Sequence, residues 1–410
     1  MKALLVFGGS RGDVQPGVLV AKELMRRGHE VQLAVPPNFV EFAAENGVTA
    51  AGCGMDTRVS LHSDTEIGNV GPIARLRSLR EQSHHGFDTM AADLLALDSD
   101  ADLVVGGLVD EEVARGVAAR IGAPAFAVLH FYPVRPSRTV AVLPNDFGTR
   151  IPGALNKAAW KLGLGVRALD IKGQVDRLEA GRPAPAELAI QVYDDKLFPG
   201  LRQEWGGRNP FVGFVTPPAG YRVADEDTEL TRWLDAGSAP VYVGFGSMPI
   251  PDLGATVDQI QTACRRFGRR MLFVGGWNEV EDTCSGDVAM VRSVDHATVL
   301  PRCAAVVHHG GAGTTAAALR AGVPSVVCSF LGDQKYWGHC LRELKIGAVM
   351  SFSRLSAATM TAALEEVLAP ECAERAARFA VDFEDDGAPK TVDLLERFVA
   401  ENVPARKVSG

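Results

Sequence analysis

Short apolar runs alternate along this chain with longer segments in which apolar residues recur at every third or fourth position. Lys2–Phe7 predicts a buried strand, Gly17–Arg27 an amphipathic helix and Glu30–Ala34 a second strand. Ala101–Val105 and Ala125–His130 predict two further strands, and a helical stretch precedes each of them. This alternation of strands and helices is typical of a doubly wound parallel sheet in the α/β class.

The alternation stops at a segment rich in proline and glycine, Pro199–Pro218, and then starts again. Helices at Ala255–Arg266 and Thr314–Ala321 are predicted among five strands: Val241–Phe245, Met271–Val274, Val288–Val291, Ala304–His308 and Ser325–Cys328. We therefore expect two Rossmann-like domains, at 1–215 and 239–390, joined by a linker at 216–238. Apolar residues at helical spacing in 391–410 predict a last helix that packs back across the domains.

The composition excludes several classes of protein but does not indicate a function. The 410 residues are 47% hydrophobic and 22% charged, which is typical of a folded chain with more than one domain. The formal net charge of -8 disfavours nucleic acid as a partner, and no apolar run is long enough for a signal peptide or a transmembrane segment. Seven scattered cysteines without a CxxC pair predict neither disulfides nor structural zinc, so we expect a cytoplasmic protein.

A glycine-rich loop follows the first predicted strand, with the sequence GGSRGD from Gly8 to Asp13. Its glycine spacing matches neither the GxGxxG dinucleotide fingerprint nor the P-loop, so it indicates a tight turn that lets a ligand or another backbone approach. Asp13 is then either a capping or solvated loop carboxylate or a base placed at the edge of a cleft.

The strand Ala304–His308 leads directly into glycines and a helix, with the sequence HHGGAGTT. The unpaired amides and the dipole of a helix amino terminus favour an anion, and glycines let phosphate oxygens reach the backbone. His309 can add a side-chain donor, so the segment predicts a phosphate site. The alternative is a tight strand-to-helix turn beside a core histidine.

Two weaker signals lie at the ends of neighbouring predicted strands. Ser247, within Gly244–Met248, places a hydroxyl at the same sheet edge as the predicted phosphate site. Asp333 and Gln334 follow the strand Ser325–Cys328, and their acid and amide groups can accept from and donate to sugar hydroxyls. The alternative for this pair is a polar loop tip.

Together these motifs resemble those of the nucleotide-sugar glycosyltransferases of the GT-B fold, specifically the bacterial family that decorates antibiotics and natural products, and its sterol glucosyltransferase relatives. Gly9–Asp13 looks like the amino-terminal signature of that family, Pro240–Met248 like the start of its donor domain, and His308–Gln334 like its donor-binding signature. His309 and Asp333 are 24 residues apart, the spacing that the last signature implies. The resemblance implies two domains that face each other across a cleft.

The resemblance also implies roles for individual residues. The donor diphosphate is then bound by Ser10, Arg11, Ser247, His309, Gly311, Ala312, Gly313 and Thr314. Asp333 and Gln334 bind the sugar, and Val294 offers its backbone to the nucleobase. Many relatives carry a tryptophan that stacks on the base where this chain has Ser293, so Trp277 and Arg292 are the candidates to replace it.

The expected reaction is an inverting transfer of a hexose from a UDP- or dTDP-sugar to a hydroxyl of a small hydrophobic or polycyclic natural product. Asp13 removes the acceptor proton, and helix amides with His309 stabilise the leaving diphosphate, so that no metal and no cofactor besides the nucleotide sugar is expected. The carboxylate run Asp98–Asp102 lacks the order of a calcium loop. Candidates to line the acceptor pocket are His62, His84, His85, His130, Phe131, Tyr132 and Arg135.

Two other functions stay open at this point: a nucleotide-sugar epimerase or hydrolase on the same scaffold, and a non-catalytic protein that binds a sugar nucleotide. The motifs leave the base of the donor, the sugar, the acceptor and the oligomeric state undecided.

Overall fold

The chain folds into two α/β halves in a computed structural model that describes residues 1–57, 72–143, 145, 148–217, 228–330, 333–384 and 386–403. The strands of the first half are β1 Lys2–Val6, β2 Glu30–Val35, β3 Ala50–Gly52, β4 Leu103–Gly107, β5 Ala125–His130 and β6 Ala186–Gln191. They form one parallel sheet in the order β3-β2-β1-β4-β5-β6. Leu5 of β1 lies opposite Leu33 of β2 and Val105 of β4.

The helices of the first half are α1 Arg11–Arg26, α2 Val40–Glu45, α3 Pro72–Ala96, α4 Glu111–Ile121, α5 Gly153–Glu179 and α6 Leu201–Trp205, with single 3₁₀ turns at Pro37–Phe39, Gly148–Arg150 and Asp195–Leu197. Both faces of the sheet are covered. Leu4 and Leu5 point to opposite faces of β1 and are both fully buried, in two separate apolar clusters. This is why β1 is a continuous apolar run rather than an alternating one.

The second half repeats this architecture. Its strands are β7 Val241–Gly244, β8 Met271–Val274, β9 Thr283–Ser285, β10 Val288–Val291, β11 Ala305–His308, β12 Ser325–Ser329 and β13 Gly347–Ser351. The sheet order is β13-β12-β11-β7-β8-β10-β9, and β9 pairs antiparallel at the edge. Its helices are α7 Thr228–Asp235, α8 Leu253–Arg266, α9 His296–Val299, α10 Ala312–Ala321, α11 Gln334–Glu343, α12 Ala357–Val367 and α13 Pro370–Val381, with 3₁₀ turns at Leu300–Arg302 and Phe352–Arg354.

The strand order reverses once in each sheet, between β1 and β4 in the first and between β7 and β11 in the second. Loops that leave the carboxyl ends of such a strand pair run to opposite faces of the sheet and open a crevice where ligands bind. The loop 8–13 follows β1, Gly246 and Ser247 follow β7, and His309 follows β11. All three predicted motifs therefore lie at the two reversal points.

The predicted α/β fold is confirmed, and the first helix starts earlier than predicted. The apolar spacing predicts a start at Gly17, whereas α1 begins at Arg11. Ser10 and Asp13 form a capping box that starts the helix early, and Pro16 is accommodated near its amino terminus.

The range 216–238, predicted as a linker, is described in part, because 218–227 lie outside the described residues. Its last part is α7, in which Leu230, Trp233 and Leu234 are buried in an apolar cluster of the second half. Their helical spacing allows this burial, so α7 belongs to the second half rather than to a linker. The other domain boundaries stay a prediction.

The two halves pack on each other through aromatic side chains. Trp337 of α11 is fully buried, and its ring lies 6.1 Å from that of Tyr193, 5.9 Å from that of Phe198 and 5.7 Å from that of Phe214, measured between centroids. Aromatic rings bury much apolar area with little rotamer freedom to lose. This cluster supports the relative position of the two sheets.

A last helix, α14 at Gly387–Asn402, packs back onto the first half as predicted. Val392 and Leu395 are fully buried in the same cluster as β1. Arg27, just after α1, holds Asp393 at 2.6 Å and Glu396 at 2.8 Å. The helix α14 therefore covers part of the first half.

We expect Leu395→Ala to lower the free energy of unfolding by about 2–5 kcal/mol, because it leaves a cavity in this cluster. Urea unfolding followed by circular dichroism measures the change. Arg397→Ala, on the exposed side of the same helix, is the matched control. Equal stability of the two variants would contradict the docking of α14.

Candidate functional site

The loop after β1 is built around the carboxylate of Asp13. The backbone amide of Ser10 donates to Asp13 Oδ2 at 2.8 Å, and the Ser10 hydroxyl donates to the same oxygen at 3.0 Å. Gly9 has φ 97°, and a Cβ atom added there would lie 2.6 Å from Asp13 Oδ2. Only glycine fits this backbone conformation and this close approach.

The environment of Asp13 makes its carboxylate more basic than a solvated one. Burial raises the pKa of Asp13, while the two hydrogen bonds from Ser10 oppose the rise. A carboxylate with a raised pKa binds a proton more strongly than a solvated one. Arg11 is exposed and its guanidinium carbon lies 4.9 Å from the ring centroid of Phe42.

The turn after β11 packs glycines against the ring of His309. A Cβ atom on Gly311 would lie 2.4 Å from His309 Nε2, and one on Gly246 would lie 2.9 Å from Cε1. Gly310 has φ 90°, so the chain bends sharply before α10. These glycines bring the backbone after β7 and the backbone after β11 to the same imidazole.

His308 and His309 have different surroundings. His308 is fully buried, and its Nδ1 accepts the amide of Gly310 at 3.1 Å, so it is the core histidine. Burial lowers the pKa of His309 to about 4, so its ring is neutral at physiological pH. Its Nδ1 is buried and has no hydrogen-bond partner among the described residues. Such a group is costly unless a ligand or water meets it.

The amino terminus of α10 is open. Gly311 is its N-cap, and no side chain caps the helix. The amides of Ala312, Gly313 and Thr314 have no partner within a helix that starts there, and a Cβ atom on Gly313 would meet open space. The arrangement fits an anion, and Ser247 lies on the neighbouring turn after β7.

Asp333 links the two halves electrostatically. Burial raises the pKa of Asp333 to about 7, and the negative charge of Asp13 adds to the rise. Tyr132, which follows β5, is close to both, since burial and then the charges of Asp333 and Asp13 raise its pKa to about 12. Asp13 of the first half and Asp333 of the second therefore lie close enough to interact electrostatically.

The side chain of Gln334 already has partners within the protein. Its side chain is buried, and its Oε1 accepts the amide of Phe330 at 2.7 Å. Its Nε2 lies 3.4 Å from the sulfur of Met248. Gln334 thus ties the loop after β12 to the turn after β7, and its role toward a sugar stays a prediction.

The predicted nucleobase residues meet at the edge formed by β8 and β10. The amide of Gly276 donates to Arg292 O at 3.1 Å, which places Trp277 beside Ser293. Ser293 is exposed and Val294 half-buried. The Trp277 ring packs against the apolar cluster of the first half. The base-binding assignments stay predictions.

His296 was missed by the sequence reasoning. Its Nε2 lies 2.9 Å from the hydroxyl of Tyr242. Burial lowers the pKa of His296 to about 4, and the positive charge of Arg11 acts in the same direction, so Arg11 reaches toward the second half. The sequence feature that could have identified His296 is its position two residues after Val294, between a strand and a helix.

The candidates for the acceptor pocket have different surroundings. Tyr132 is half-buried beside Asp13 and stacks on Tyr336 with ring centroids 5.9 Å apart. His130 is fully buried and bonded to Glu111 and Gln191, and Arg135 is paired with Glu111. Phe131 is a buried core residue, and His84 and His85 lie on α3. His62 lies outside the described part of the chain.

The described residues contain neither a cluster of metal-ligating side chains nor a helix suited to cross a membrane. No group of three or more His, Cys, Asp or Glu side chains there is arranged to hold a metal ion. No helix in that part of the chain is both long and apolar enough to span a bilayer.

Two family models match the chain. The C-terminal domain of erythromycin biosynthesis protein CIII-like proteins matches residues 278–400. The N-terminal domain of glycosyltransferase family 28 matches residues 3–84.

Relatives are similar over nearly the whole chain. A glycosyltransferase of Mycobacterium tuberculosis, itself uncharacterised, is 38% identical over 97% of this chain and 98% of its own length. Glycosyltransferase GtfE of Amycolatopsis orientalis is 32% identical over 99% of each chain. A sterol 3-beta-glucosyltransferase of Arabidopsis thaliana is 27% identical over 98% of this chain and 69% of its own length.

Solved structures share the fold. CalG4, the calicheamicin glycosyltransferase, superposes with a TM-score of 0.70 at 18% identity, covering 98% of this chain and 99% of its own. The glycosyltransferase VinC, in complex with dTDP, superposes with a TM-score of 0.66 at 20% identity, covering 98% of this chain and all of its own. The chain therefore belongs to the antibiotic-type glycosyltransferases of the GT-B fold.

Proposed function

We propose that this glycosyltransferase transfers a hexose from a UDP- or dTDP-sugar to a hydroxyl of a small hydrophobic natural product, with inversion at the anomeric carbon. One observation supports the proposal most: the negative charge of Asp13, in the first half, raises the pKa of Asp333, which lies in the second half at the same sheet edge as the open end of α10. The proposed site thus combines a base with an anion site. These are the two groups that a direct displacement needs.

The donor side is proposed to bind the diphosphate. The amides of Gly311 to Thr314 and the uncapped end of α10 offer donors to phosphate oxygens, and the unpartnered Nδ1 of His309 adds one more in the tautomer that carries the proton on Nδ1. Ser247, which follows β7, and Ser10 and Arg11, which follow β1, are proposed to take part as well. Fixed donors of this kind stabilise the charge that develops on the leaving group.

In the proposed step, an acceptor oxygen attacks the anomeric carbon while its proton moves to Asp13. The new carbon–oxygen bond forms as the bond from that carbon to the diphosphate oxygen breaks, and the electron pair leaves with the nucleoside diphosphate. Asp13 starts charged and ends neutral, and the diphosphate gains the negative charge. A single displacement inverts the anomeric centre.

The relatives indicate where substrate tests should begin. VinC was solved with dTDP, and SsfS6 of a Streptomyces species with thymidine diphosphate, so dTDP-sugars come first among donors. The stacked rings of Tyr132 and Tyr336 beside Asp13 favour a flat apolar acceptor. Sterols join the panel because a sterol glucosyltransferase is a relative.

We expect Asp13→Asn to lower kcat by about two to four orders of magnitude, because the amide keeps the hydrogen-bond acceptor but cannot take a proton. Donor affinity, measured by calorimetry, should stay within about twofold of wild type if the variant keeps its loop. Turnover close to that of the wild type would rule out Asp13 as the base.

His309→Ala should weaken binding of the nucleoside diphosphate by roughly 10- to 100-fold, because a hydrogen bond to a charged group is lost. Calorimetry with UDP and dTDP measures the effect without any acceptor. His85→Ala, on the exposed side of α3, is the control. Unchanged affinity in His309→Ala would mean that the ring only packs against its glycines.

Activity should survive EDTA, because the charge of the leaving group is met by amides and His309 in the proposed mechanism. Transfer is measured with and without the chelator and after addition of magnesium. Abolition by EDTA and recovery with magnesium would show that a divalent ion neutralises the leaving group instead.

A further inference from the structure

Asp110 is a buried carboxylate that the proposed mechanism does not use. It follows β4, the neighbour of β1 at the point where the strand order reverses, and only 7% of it is exposed. An aspartate just before a helix usually caps that helix, yet its side chain makes no cap bond with α4. Its Oδ2 instead accepts the backbone amide of Gly8 in a short hydrogen bond.

The glycine loop is therefore held between two carboxylates. A Cβ atom on Gly8 would lie 2.7 Å from both carboxylate oxygens of Asp110. A Cβ atom on Gly9, the next residue, would lie 2.6 Å from Asp13 Oδ2. Asp110 and Asp13 thus contact two adjacent residues, Gly8 and Gly9. The positions of the two carboxylates are therefore linked through this short backbone segment.

The charges that face Asp110 have the same sign as its own. Asp13 approaches from α1 and Glu112 from α4, and the Gly8 amide donates the hydrogen bond that opposes them. Burial, followed by these two charges, raises the pKa of Asp110 to about 7. The negative charge of Asp13 therefore opposes ionisation of Asp110.

We propose that Asp110 is a positioning residue for Asp13: it anchors the loop through Gly8, and its own charge strengthens the attraction of Asp13 for the acceptor proton. This inference rests on the proposed function, in which Asp13 is the base. At low pH Asp110 is neutral and acts only as an anchor. As pH rises it ionises, and Asp13 becomes a stronger base.

The test compares pH profiles of kcat/KM for the wild type, Asp110→Asn and Asp110→Ala. Asparagine keeps an acceptor for Gly8 and cannot ionise, whereas alanine removes both the anchor and the charge. Asp102→Asn is the matched control, because Asp102 accepts the amide of Lys2 at 2.8 Å at the opposite end of β1. Asp333 titrates near the same pH, so the difference between variant and wild-type profiles is the measured quantity.

We expect Asp110→Asn to keep the wild-type acid limb and to lose the part of the rise near pH 7 that Asp110 contributes. Asp110→Ala should also lower kcat, by about 10- to 100-fold, because a displaced base costs rate even when the substrate still binds. Donor affinity and the Asp102→Asn profile should match those of the wild type.

A wild-type profile in Asp110→Asn would overturn the inference, and so would a change of equal size in Asp102→Asn. A folded Asp110→Asn that is inactive at every pH would overturn it too, since that variant keeps the anchor. Failure of the proposed function looks different: Asp13→Asn would then remain active. If Asp110→Ala does not fold, the pH profile of Asp110→Asn still tests the role of Asp110.

Discussion

The first amides of a helix have no partner within that helix, and the two halves of this protein treat these amides differently. In α1 the carboxylate of Asp13 accepts the amide of Ser10. The same hydrogen bond caps the helix and fixes the position of the proposed base. In α10 the cap is Gly311, which offers no side chain, and the amides stay open to an anion. The same strand–turn–helix unit thus yields a base in one half and a phosphate site in the other.

The sheet topology brings these two helix ends to one place. Both follow strands at the point where the order of their sheet reverses, and the aromatic cluster around Trp337 holds the halves together. Electrostatic asymmetry follows. Asp13 repels Asp110 of its own half and Asp333 of the other, whereas the predicted diphosphate site has a helix amino terminus and a histidine kept neutral by burial. Negative charge that develops on a leaving diphosphate is better stabilised there than near the carboxylates.

The sequence predicted those features whose cause is local. The apolar runs of β1 and β5 reveal parallel strands because both faces are buried, and the GGSRGD and HHGGAGTT loops reveal strand–turn–helix transitions because glycine is needed there. The helix α5 was not predicted, because exposed Leu162 and Leu169 lie away from its buried Trp160 and no single apolar stripe results. Asp110, His296 and the inward turn of Gln334 depend on partners distant in sequence, namely Gly8, Tyr242 and Met248. No pattern along the chain encodes such pairs.

The central claim is that one carboxylate and one helix terminus, facing each other, carry out a single displacement. The anomeric configuration of the product tests this claim most directly, by the proton coupling constant at the new glycosidic bond in an NMR spectrum. With an α-linked nucleoside diphosphate hexose as donor, a single displacement predicts a β-linked product. An α-linked product would contradict the account, because retention requires either a second displacement or attack from the face on which the diphosphate leaves.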